Sequence, residues 1–298
     1  MSTSPETGGI PTASAPARRP LDREIEVYGL THRGNVRKTN QDHFLIASLR
    51  KTMDVHFTSL PALDQLPLRG ENLAFLGVVA DGVGSGVGGD SASRLALESV
   101  TQYVAESMHC YYAAEAHDDQ AFFDALQQAA LTCHARIVEQ ATLEPNQGRM
   151  ATTLTLWLSV WPRSYILQVG DSRSYLFRDG RLTQLTRDQT MAEELIAQGV
   201  LTRTDAVRTR WTNVLSSAIG GQQTAPVVTR LDTAWGDIGL MCSDGLTKHV
   251  SDQRIAERLG TMRSARQVCE DLLQDALDDG GTDNVTIIVG RAVHGDAD

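Results

Sequence analysis

Two helical patterns follow one another directly in the first half of the chain, and short strand patterns then crowd the rest. Ala92, Leu95, Ala96, Ser99, Val100, Tyr103 and Val104 recur at helical spacing, with Asp90 or Ser91 placed to cap them. Phe122, Leu126, Ala129, Ala130, Cys133 and Ile137 make a second stripe, and Cys269, Leu272, Leu273 and Ala276 a third. Strands are predicted at His43–Ala47, Leu73–Ala80, Thr153–Val160, Tyr165–Val169, Tyr175–Arg178, Ile238–Cys242 and Val285–Val289. Asp179-Gly180 reads as a tight hairpin turn between two strands. A chain that runs helix to helix and then strand to strand lacks the strict alternation of a parallel sheet. It points to antiparallel sheet with helices packed outside, an α+β arrangement.

At 298 residues and 41% hydrophobic, the chain can bury a sizeable core. One domain is expected over residues 23–293, after a disordered tail (1–22) rich in Ser, Thr, Pro, Ala and Gly and before a short tail (294–298). Residues 49–72 read as an insertion broken by Pro61, Pro67 and Gly70, and residues 190–213 as an irregular stretch. The net charge of -10 argues against nucleic acid as a partner. No apolar run approaches the ~18 residues of a membrane span, and no signal-peptide core is present, so a cytoplasmic location is expected. Cys110, Cys133, Cys242 and Cys269 form no CxxC pair, which opposes a zinc site and suits buried free thiols.

Three apolar runs end in a small residue and an aspartate. They are Leu76 to Ala80 before Asp81-Gly82, Leu167 to Gly170 before Asp171-Ser172, and Leu240 to Ser243 before Asp244-Gly245. Asp42 and Asp283 stand just before strand patterns. In an antiparallel sheet the end of one strand lies beside the start of its neighbour, so all five can gather at one edge. Gathered carboxylates repel and raise one another's pKa values. Hard divalent cations, which prefer oxygen ligands, remove that cost. Taken singly, each aspartate is equally a turn former or a solvated loop residue.

These residues lie in segments that resemble the type 2C protein phosphatases, metal-dependent serine/threonine protein phosphatases, and especially their bacterial members. The segments are Arg37-Lys38-Thr39-Asn40-Gln41-Asp42, Val79-Ala80-Asp81-Gly82-Val83-Gly84, Ala151-Thr152-Thr153, Val169 to Tyr175, Leu185 to Asp188, Cys242 to Thr247 and Gly281 to Thr286. They span Gly29 to Val289 in the family's order. The resemblance implies a four-layer αββα sandwich of two antiparallel sheets flanked by helices, with two or three Mn2+ or Mg2+ ions at one end. Asp81 would bridge two ions, Asp244 and Asp283 would hold the first, and the Gly82 carbonyl the second. Asp42 would bind the ions or their waters, and Asp171 with Asp244 a third. Glycine at position 82 would leave the carbonyl free to turn toward a cation. Arg37 would receive the substrate phosphate on its planar fork. The implied reaction is hydrolysis of phosphoserine and phosphothreonine in proteins by a metal-activated water, opposing a cognate serine/threonine kinase and acting on its targets.

The sequence also departs from the family pattern. Val83 stands where animal members carry a histidine, Gly84-Ser85-Gly86 replaces Gly-Gly-His, Gln189 follows Asp188 in place of histidine, and Gln41 replaces a glutamate. No general acid is assigned, and His32, His43 and His249 read as ordinary structure. Residues 190–213 match the family's flap, where Arg203, Arg208 and Arg210 could steer a phosphorylated substrate or stay solvated. Two rival readings stand beside this one. A catalytically weak phosphatase-like domain could bind phosphoproteins or regulate. Gly84-x-Gly86-x-x-Gly89 also fits a dinucleotide fingerprint, a weak pattern in a glycine-rich loop.

Overall fold

Among the described residues every strand pairing is antiparallel, and the strands form two sheets. The computed structural model describes residues 18–50, 72–84, 87–107, 119–145, 149–206 and 209–294. The first sheet has the order β1 (Ile25–His32), β11 (Val285–Ala292), β10 (Ile238–Cys242), β7 (Arg173–Arg178), β8 (Arg181–Gln184). The second runs β2 (Asp42–Arg50), β3 (Asn72–Val83), β5 (Leu154–Val160), β6 (Arg163–Val169), β9 (Val227–Asp232), with β4 (Ala151–Thr152) paired to the end of β3.

The near-continuous apolar runs of β3, β10 and β11 follow from burial on both faces. Leu76, Val78 and Ala80 face a core shared with α1 (Val87–Glu106) and α2 (Asp119–Leu143). Their neighbour Val79 meets Met241 and Ile288 between the sheets. Leu240, Ile287 and Val289 pack outward against α6 (Asp252–Gly260) and α7 (Ala265–Asp278). Each large aliphatic side chain so buried contributes about 1.5–3 kcal/mol. The layers are helix, sheet, sheet, helix, as the family resemblance implied.

All seven predicted strands form, and Asp179 (φ 50°) and Gly180 (φ 76°) turn the β7–β8 hairpin. Strand β1, the edge strand β9 and helix α6 are among the elements that the pattern reading did not single out; α6 buries only Ile255 and Leu259, too thin a stripe to see. Helix α1 starts at Val87, ahead of the expected cap. The described residues of the 190–213 stretch are not irregular: they contain α3 (Met191–Ala197), α4 (Arg203–Ala206) and a 3-10 turn (Arg210–Asn213). The N-cap Thr190 supplies the start signal, its hydroxyl accepting from the Glu193 N–H.

The expected tail 1–22 also needs trimming. Arg18 pairs with Glu24 and lies over the Trp235 ring, which tethers residues 18–24 to the domain. Residues 1–17, most of the 49–72 insertion, Ser85-Gly86, Cys110, Arg208 and residues 295–298 lie outside the described residues. The dinucleotide reading fails on topology. Helix α1 leads to α2, and β3 is flanked by antiparallel β2 and β5, where that motif needs a second parallel strand. Among the described residues no helix is long and apolar enough to cross a membrane.

Candidate metal centre

Asp42 opens β2 and stands opposite Asp81 near the end of β3. Asp171 follows β6, Asp244 follows β10 and opens the one-turn helix α5 (Asp244–Thr247), and Asp283 precedes β11. The sheets meet at these strand ends, so Asp81 feels the charges of Asp42, Asp244, Asp171 and Asp283 together. The structure therefore brings all five sequence-selected aspartates to one place.

Buried polar side chains fix them there. The Ser243 and Thr286 hydroxyls of the first sheet donate to Asp42 Oδ2 at 2.7 and 2.8 Å, tying β2 across the sandwich. The Asp81 carbonyl accepts from the Thr153 N–H (2.8 Å) and the Thr152 hydroxyl (2.8 Å), while its own N–H donates to Thr153 Oγ1 (2.9 Å). The Asn284 amide donates to the carbonyls of Arg33 (2.9 Å) and Thr39 (3.0 Å), and its oxygen accepts from the Gln41 N–H (2.9 Å). That clamp holds the loop carrying Arg37. The two Asp-Gly glycines serve close approach. A Cβ at Gly82 would lie 2.4 Å from the Gly89 carbonyl oxygen, and one at Gly245 only 1.9 Å from that of Asn284. Gly82 has no positive φ, so packing, rather than freedom of its carbonyl, requires glycine there.

The electrostatics of the cluster are strained. Burial, then the charge of Asp244, pushes the Asp42 carboxyl up to about 6 against the Ser243 and Thr286 hydrogen bonds. Burial, then Asp244 and Asp188, pushes Asp171 up to about 8, opposed by Lys248. Asp81 rises well above the ordinary range, from burial first and then its four neighbours. Asp283 goes the other way: burial raises it, but Arg37 and Lys248 hold it below the usual range. Buried Asp42 Oδ1 and Asp244 Oδ1 accept no hydrogen bond. Orphaned carboxylate oxygens in an acidic cluster are donors that suit a hard divalent cation. Among the described residues no three His, Cys, Asp or Glu side chains are placed, as they stand, to hold one metal ion together. The donor chemistry is the stronger indication, because the protein's own cations engage two of the carboxylates. Arg37 lies 2.7 Å from Asp283 Oδ1, and Lys248 lies 2.6 Å from Asp244 Oδ2 and 2.8 Å from Asp283 Oδ2.

The remaining motif residues are placed as follows. Asp188 pairs with Arg173 at 2.7 Å. Gln189 accepts from the Gly170 N–H (2.8 Å), anchoring the flap beside Asp171. His32 accepts from the Gly34 N–H, His43 meets the Ser93 hydroxyl, and His249 meets Asp279 and Thr282. Arg203 pairs with Glu193 on the flap, and Arg210 lies over Trp211. A cleft of about 470 Å³ lies between Val83 and Arg149 on one side and the flap residues Met191 and Glu194 with the following Leu215 and Ser217 on the other. A second cavity of about 150 Å³, lined by Trp157, Met241 and Ile288, lies between the sheets; neither it nor the cleft is lined by any of the five aspartates. Sequence reasoning missed Thr152, Thr153, Ser243, Lys248, Asn284 and Thr286 as site-builders. All but Lys248 lie inside the quoted motifs; Lys248 falls one helical turn after Asp244.

Fold and strand-end cluster place the chain among four-layer αββα proteins whose two sheets share one acidic end. The model of the family described as Protein phosphatase 2C matches residues 59–280, and the chain belongs to that family. It is 34% identical over 218 residues to the serine/threonine protein phosphatase PstP of Mycobacterium tuberculosis, covering 72% of this chain and 40% of that protein. The chain thus spans about 40% of the length of this relative. It is 30% identical over 213 residues to the serine/threonine phosphatase stp of Listeria innocua, covering 71% and 82%. The crystal structure of the M. tuberculosis phosphatase PstP/Ppp superposes with a TM-score of 0.73 at 29% identity, covering 91% of this chain and 99% of that one. The PstP catalytic domain in complex with two manganese ions superposes with a TM-score of 0.69, also at 29% identity.

Proposed function

We propose that the chain hydrolyses phosphoserine and phosphothreonine in proteins with the help of two or three Mn2+ or Mg2+ ions. The observation that carries this reading is the cluster of five aspartates, in which Asp42, Asp81 and Asp171 are raised in pKa by burial and by their acidic neighbours and two buried oxygens are left unbonded. Asp42, Asp81, Asp171, Asp244 and Asp283, with the Gly82 carbonyl, are the residues that would hold the ions. When bound, such ions supply an activated water and neutralise charge on the phosphoryl group. Arg37, half exposed and paired through Nε and Nη2 with Asp283, would turn its planar fork to a substrate phosphate once the ions take up Asp283. The cleft between Val83 and the flap would seat the residues flanking the phosphoamino acid. Phosphorylated proteins are the substrates, and a serine/threonine kinase with its targets is the natural counterpart.

The test is phosphate release from a phosphothreonine peptide, with Mn2+ and then with excess chelator. Release that stops with chelator is expected. A folded, Mn2+-loaded protein that releases none would be a binding module instead.

A further inference from the structure

Lys248 sits one helical turn after Asp244 and points its ammonium between two of the five aspartates. Its Nζ lies 2.6 Å from Asp244 Oδ2 and 2.8 Å from Asp283 Oδ2. Arg37 lies 2.7 Å from Asp283 Oδ1 and 2.8 Å from Oδ2, so both Asp283 oxygens already face a cation. The Lys248 side chain is only 32% exposed, so this is a sheltered contact rather than a loose surface pair.

We propose that Lys248 is a built-in counter-cation that occupies the Asp244–Asp283 position in the metal-free protein and must leave it when a divalent ion binds there. The inference rests on the reading of these aspartates as metal ligands. An ammonium and a divalent ion cannot both contact the same carboxylate oxygens, because their repulsion at that distance is large even at a surface-like dielectric. Lysine suits the task. Its charge is compact and its four-carbon stem can swing toward solvent. The ammonium lets the acidic end stay folded while unloaded, and it weakens the first ion's affinity.

The experiment is Mn2+ titration by calorimetry of chelator-stripped wild type and Lys248→Met, which keeps the stem and removes the charge. The variant should bind its tightest ion at least about tenfold more strongly. Its metal-free form should melt below wild type, and the difference should vanish at saturating Mn2+. Equal or weaker affinity in the variant, with wild type still binding, overturns the role of Lys248 alone. Absence of Mn2+ binding by both proteins overturns the metal reading together with it. Lysine Nζ spectra of wild type give an answer independent of the variant's folding. The Lys248 ammonium signal should be protected without metal and lost to solvent exchange as Mg2+ is added; a signal that persists at saturating Mg2+ overturns the proposal.

Discussion

Asp42 and Asp81 stand directly opposite one another across β2 and β3, one at a strand start and the other near a strand end. Two carboxylates in that register are destabilising unless something positive lies between or beside them. Replacing Asp81 with asparagine should therefore stabilise the metal-free protein at pH 8, seen as a higher melting temperature. The same change should cut phosphopeptide turnover by more than about a hundredfold, since even loss of a ligand's supporting partner costs 10–100-fold in metal sites. Near-normal turnover by a folded Asp81→Asn protein would refute its place in the metal centre.

Stability of the metal-free chain should fall as pH rises. Asp42 and Asp171, raised to about 6 and about 8, hold protons that the unfolded chain releases near pH 4. The folded state thus binds more protons, and this contribution is lost between about pH 4 and pH 8. Thermal unfolding between pH 5 and pH 8 checks the sign. The fall should shrink in Asp171→Asn, and Mn2+ should raise the melting temperature more at pH 8 than at pH 5. A fall of equal size in wild type and Asp171→Asn would remove Asp171 from the account of it.

Arg37→Ala removes the planar donor pair at the cluster. Loss of a charge-assisted pair to phosphate costs about 1.5–3 kcal/mol, so kcat/KM for a phosphothreonine peptide should drop roughly tenfold to a hundredfold. Circular dichroism should be unchanged, because Arg37 is half exposed and packs no core. An unchanged kcat/KM would return Arg37 to being a partner of Asp283.

Ser243→Ala deletes a buried hydroxyl that donates to Asp42 and accepts from the Thr286 N–H at 2.9 Å. It leaves two polar groups short of a partner, for a loss of about 1–3 kcal/mol in denaturant unfolding. A change near zero would mean that Asp42 finds another partner.

Much of this was legible in the sequence, for identifiable reasons. Strands β3, β10 and β11 are apolar runs because both their faces are buried, and each of the first two delivers an aspartate at its end. Edge strands β8 and β9 carry no such run, and α6 has only two buried anchors. The aspartates were visible as strand-end residues. Their supports were not, because the partners are remote: Ser243 meets Asp42 across 201 positions, and Asn284 reaches Gln41 across 243. Lys248 could have been suspected from its four-residue offset to Asp244, but its second partner, Asp283, lies on another segment.

The most direct measurement follows bound Mn2+ and phosphate release together while the ion is added to chelator-stripped wild type. At least two ions should bind, and release from a phosphothreonine peptide should rise with their occupancy and stop when chelator is restored. Release that is indifferent to chelator, or absent at full occupancy, would contradict the assignment of the five aspartates as a catalytic metal centre.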